Sequence, residues 1–112
     1  MQGFLKAKDE LIEELKKCSV YQTFLEKSAE LDKDPEKWKL VNEIRRENYE
    51  FYKFGSPGGY DQRMEELSTR MESLRADQTI DEFFAAELAL CRLVQNLVLE
   101  LMENIEFNVD FL

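Results

Sequence analysis

The chain has 112 residues, of which 44% are apolar and 35% are charged, and its formal net charge is −9. At this length folding buries roughly two-thirds of the surface of the open chain, so we expect a single domain over residues 1–112 with one modest core. The acidic balance argues against direct binding to nucleic acid or to an anionic membrane, because both require clustered Lys and Arg side chains.

The residue types that common catalytic and metal sites need are missing or scarce. Without histidine the chain cannot build a Ser-His-Asp or Cys-His nucleophile system, or a histidine-containing zinc site. The two cysteines, Cys18 and Cys91, are too few for an iron–sulfur cluster within one chain, and they fit a reducing compartment. The acidic residues lie beside Lys or Arg, as on a solvated helix surface. We therefore expect no enzymatic activity, no cofactor and no bound metal.

Neither export nor membrane insertion is expected from the sequence. Charged residues follow within the first few positions, which is unlike a signal peptide. The most apolar stretch is interrupted by Glu87, Arg92 and Glu100, which is unlike a membrane-spanning helix. We expect a cytoplasmic protein.

Two helices are predicted at the start of the chain, over about Gln2–Lys17 and Val20–Leu31. Ser19 is the predicted N-cap of the second helix, and the polar run Asp32-Lys33-Asp34 ends it. The first helix has one apolar stripe with Lys and Glu opposite, formed by Phe4, Ala7, Leu11, Leu15 and Cys18.

The run Asp34-Pro35-Glu36 predicts the start of a third helix, which should extend to about Phe54. An Asp side chain can accept hydrogen bonds from the first N–H groups, Pro suits the first helical position, and Glu interacts favourably with the positive end of the helix. The run Gly55-Ser56-Pro57-Gly58-Gly59 then breaks the helix.

Aromatic side chains gather on both sides of this glycine-rich segment, at Tyr49, Tyr52, Phe54 and Tyr60. Their number exceeds what one packed stripe needs, so they are a candidate surface for a protein partner. Ordinary core packing at the end of a helical hairpin is the alternative interpretation.

A fourth and a fifth helix are predicted after the glycine-rich segment. Thr79 and Glu82 form a predicted capping box that opens a long last helix, from Ile80 to about Ile105. Because the link Asp77–Gln78 is short, we expect these two helices to form an antiparallel hairpin. The predicted fold is all-α, a small helical bundle with a long antiparallel C-terminal helical hairpin. The fourth helix has a narrow apolar stripe formed by Tyr60, Met64, Leu67, Met71 and Leu74.

The last helix carries two apolar stripes, whereas a helix packed on one side needs only one. One stripe contains Phe84, Cys91, Val94, Val98, Leu101 and Ile105, and the other contains Phe83, Leu90, Leu93 and Leu97. Such a helix is either central in the fold or faces another subunit. We expect self-association, as a dimer or tetramer, because a small core covers only part of this surface. The candidate oligomer interface is Phe84, Cys91, Val94, Val98 and Leu101.

Residues 105–112 alternate apolar and polar side chains with a period of two, which predicts an extended C-terminal tail. We expect Phe107 and Phe111 to cover the exposed side of the last helix, on the same subunit or its neighbour. A frayed terminus is the alternative.

The order of residues in both halves of the chain resembles the YlbF/YmcA family of bacterial cytosolic proteins, which includes YheA-like members. The likeness extends from about Gln2 to Ile105. In the first half of the chain the positions that carry the resemblance are Ala7, Leu11, Leu15, Ser19, Tyr21, Phe24, Ala29, Leu31, Asp34-Pro35-Glu36 and Leu40. In the second half they are Phe84, Ala86, Glu87, Leu90, Val94, Val98 and Ile105.

The resemblance implies an all-helical oligomer without enzymatic activity that regulates competence, sporulation and biofilm formation. Some members form a complex that modulates messenger-RNA processing by ribonuclease Y, and some take part in binding iron–sulfur clusters through cysteines near the C-terminus. This sequence ends Asp110-Phe111-Leu112 without such cysteines, which argues against that role and leaves only a cluster shared between subunits. We expect a regulatory adaptor whose partners are copies of itself and other family members. A purely structural homo-oligomer is the alternative.

Overall fold

The structure, a computed structural model, describes residues 1–54 and 60–105, apart from the side chains of Tyr52, Phe54, Tyr60 and Asp61. These residues form five helices and no strand, which confirms the predicted all-α class. The predicted extended tail and the glycine-rich run fall outside the described residues. The helices are α1 (Gln2–Lys17), α2 (Ser19–Asp32), α3 (Pro35–Phe54), α4 (Tyr60–Arg75) and α5 (Gln78–Asn104).

The start of α3 is built as its sequence predicts. The backbone N–H of Lys37 donates to the Asp34 carboxylate at 3.2 Å, and Pro35 occupies the first helical position. A carboxylate in this place satisfies one of the N–H groups that the first turn leaves without a helical partner. Local chemistry alone therefore determines where α3 begins.

The predicted N-cap of α2 is wrong by one residue. Ser19 is the first residue of α2, and the carbonyl oxygen of Cys18 accepts the N–H of Gln22 at 3.1 Å. Cys18 is the single residue between α1 and α2, with an extended backbone at φ −72° and ψ 154°. The side-chain amide of Gln22 donates to the carbonyl oxygen of Lys16 at 2.6 Å across this turn.

The predicted capping box of α5 is also wrong. Asp77 caps the helix, because its carboxylate accepts the N–H of Ile80 at 3.2 Å. Thr79 lies within the first turn, and Glu82 instead accepts a hydrogen bond from the Gln78 side chain at 3.0 Å. A charged carboxylate is a stronger acceptor than a hydroxyl group, so the helix begins two residues earlier than the Thr79 pattern predicts.

The chain divides into two compact units, one formed by Met1–Leu25 with Ala85–Leu112 and the other by Glu26–Phe84. Among the described residues, most of the buried apolar side chains belong to the second of these units. They are Leu31, Val41, Ile44, Phe51, Leu67, Ile80, Phe83 and Phe84.

Phe83 lies at the centre of this core and is fully buried. Its ring meets Trp38 edge to face with centroids 5.5 Å apart, and it contacts Phe84 with centroids 5.8 Å apart. The guanidinium group of Arg45 lies 5.5 Å from the Phe83 ring centroid and 6.0 Å from that of Trp38. These contacts attach the first two turns of α5 to the start of α3.

Helices α3 and α4 have the most extensive backbone contact of any helix pair in the described ranges. Glu47 on α3 forms ion pairs with Arg63, at 3.7 Å, and with Arg70 on α4. The antiparallel pairing of α4 with α5 that the sequence predicts stays a prediction. The short link brings the ends of those two helices together, but the aromatic residues at the start of α5 pack against α3.

We expect Phe83→Ala to lower the free energy of unfolding by about 3–5 kcal/mol, because it removes a fully buried ring and leaves a cavity. Leu88→Ala is the control on the same helix, since the Leu88 side chain is 47% exposed. Urea titration followed by circular dichroism measures both. Equal losses of stability would contradict the central position of Phe83.

Candidate protein-binding surface

The second half of α5 presents an uninterrupted line of apolar side chains to solvent. Its members are 40% to 67% exposed, and their spacing of three or four residues puts them on one side of the helix. We call this line the outer stripe. It consists of Val94, Val98, Leu101 and Ile105.

The outer stripe continues the same side of α5 that is buried at its start. Val98 lies about five turns after Ile80, and Leu101 lies about five turns after Phe83, so each pair is aligned along the helix. Ile80 and Phe83 are buried, whereas Val98 is 42% and Leu101 is 54% exposed. One apolar side of α5 is therefore covered over its first turns and uncovered over its later ones.

Four of the five candidate interface residues are exposed in the structure. Cys91, Val94, Val98 and Leu101 lie at the surface of the second half of α5. Phe84 is buried and contacts Phe83, so it belongs to the core of the unit formed by Glu26–Phe84. Phe84 shares the apolar side of the helix with the other four but has a different environment.

Helix α1 carries a second exposed apolar surface, whereas the sequence predicted an apolar stripe on this helix without indicating that it is uncovered. None of its residues is buried, and Phe4 is 68% exposed. We call this surface the α1 face. It consists of Phe4, Leu5, Leu11 and Ile12. The signal was present in the sequence, because Leu5 and Ile12 widen the predicted stripe beyond the arc that one buried helix face needs.

Of the predicted aromatic surface, the structure describes only the Tyr49 side chain. Its ring is 61% exposed, and the amino group of Lys53 donates to its hydroxyl at 3.2 Å. The side chains of Tyr52, Phe54 and Tyr60 lie outside the described residues. Tyr49 is therefore an accessible aromatic residue at this end of α3.

Two ion pairs connect the start of α5 to α2 and α3. The amino group of Lys37 lies 2.7 Å from the Asp77 carboxylate, and that of Lys27 lies 3.0 Å from the Glu82 carboxylate. Hydrogen bonding from Lys37, and then from the Ile80 N–H, holds the pKa of Asp77 below its ordinary value. Hydrogen bonds from Gln78 and Lys27 lower the pKa of Glu82 in the same way. Both carboxylates therefore stay charged and hold the first turns of α5 in place.

The described residues offer little for metal chemistry. Within these ranges no group of three or more Cys, Asp or Glu side chains is arranged to hold a metal ion. Cys18 is half-buried at the turn after α1, and Cys91 is exposed on α5. In the described ranges, no helix has the length and apolar character that a membrane span requires.

The fold and these surfaces define an all-helical protein with uncovered apolar helix faces. The model of the family described as "Control of competence regulator ComK, YlbF/YmcA" matches residues 5–106, and the chain belongs to this family. The family resemblance inferred from the sequence is thereby confirmed. No curated protein and no solved structure matches the chain. The description of the family names control of a regulator and not an enzymatic activity. It is consistent with a regulatory role.

We expect Asp77→Asn to make stability less dependent on pH in acid. A carboxyl whose pKa is lowered by folding stabilises the fold above its unfolded pKa of about 3.9, and this contribution disappears as pH falls through the folded value. Asn keeps an acceptor for the Ile80 N–H but loses the charge that pairs with Lys37. Urea midpoints between neutral pH and pH 2 measure the effect.

Asp9→Asn on the solvent side of α1 is the matched control, since the Asp9 side chain is 70% exposed. In this control the free energy of unfolding should fall with decreasing pH as steeply as in the unmodified chain. A profile for Asp77→Asn identical to that of the control would show that the Lys37 pair contributes nothing to stability.

Proposed function

We propose that this protein is a non-catalytic regulatory adaptor that acts through protein–protein contacts. The regulatory role is supported by membership of a family whose description names control of the competence regulator ComK. The exposed apolar faces of α1 and α5 support the proposal that the protein acts by binding other proteins. The proposed setting is the cytoplasm, and the proposed mechanism needs neither a cofactor nor a metal.

The outer stripe of α5 is the observation that carries this proposal. Single exposed apolar residues are ordinary on protein surfaces. Here such residues follow one another on one side of a helix for about three turns, which is typical of a surface that another protein covers. Removing apolar surface from water stabilises a complex by about 25 cal/mol per Å², before the cost of association.

The first proposed partner is another copy of the chain, in a dimer or tetramer. On the side of α5 opposite the outer stripe, Arg92, Asn96 and Glu100 lie one turn apart and are all exposed, with the exposed Leu93 and Leu99 beside them. This side can remain in water while the outer stripe is covered. The contact is therefore proposed to be one-sided, along Val94, Val98 and Leu101 with Cys91 beside them.

A second proposed surface serves a partner of different sequence, such as another member of the family. Tyr49 supports it, because an exposed aromatic ring with a polar hydroxyl is common in protein interfaces. The sequence pattern predicts that Tyr52, Phe54 and Tyr60 also belong to this second surface. This surface lies at the far end of α3 from the Trp38–Phe83 contact.

We expect Val98→Glu to weaken self-association by at least about a hundredfold, because an unpaired charge in a desolvated contact costs several kcal/mol. Asn96→Glu, on the polar side of the same helix, is the matched control and should assemble normally. Sedimentation velocity over a range of concentrations measures both. A monomeric unmodified protein at micromolar concentration would contradict the proposed assembly.

We expect the affinity-tagged chain to capture specific proteins other than itself from its source cells, and Tyr49→Ala to reduce that capture at least fivefold. The loss is expected because an interfacial aromatic anchor contributes much of the binding free energy. Quantitative mass spectrometry of the captured proteins is the measurement. Capture of the chain alone, with no other protein enriched, would favour a purely structural homo-oligomer over an adaptor.

A further inference from the structure

We draw no further inference here: the strongest candidate, the exposed apolar α1 face formed by Phe4, Leu5, Leu11 and Ile12, carries none because nothing in the structure shows what covers it.

Discussion

The contact between Phe83 and Trp38 determines which side of α5 is buried at the start of that helix. It attaches the first turns of α5 to α3, and the ion pair of Asp77 with Lys37 and the cap on Ile80 hold the helix start in the same place. Because α5 is one continuous helix to Asn104, burying one side of its first turns determines the direction of every later side chain. The outer stripe lies further along the same side of α5, where the apolar side chains are exposed.

The helices themselves could be predicted because their boundaries depend on local chemistry. Asp34 and Pro35 specify the start of α3 through one hydrogen bond and one fixed backbone angle. The caps of α2 and α5 were misplaced because several neighbouring residues can serve as acceptors there. Asp77 and Thr79 are both suitable by type, and only the geometry of the first turn selects the carboxylate.

The pairing of helices and the exposure of the stripes could not be predicted in the same way. Residues far apart along the chain decide both. The short link after α4 indicates that two helix ends are close, but Trp38, on another helix, decides how α5 packs. In the same way, the sequence shows that Phe84 and Val98 share the apolar side of α5. It does not show that only Phe84 meets the core of the rest of the chain.

Charge limits which surfaces of this chain another protein can cover. The chain as a whole carries a net charge of −9, so two copies repel each other at long range. Helix α1 has four lysines and four acidic residues, so it contributes nothing to that net charge. The second half of α5 carries Arg92, Glu100 and Glu103, and none of these belongs to the outer stripe. The outer stripe is therefore a part of α5 that another protein can cover without removing a charged side chain of this helix from water.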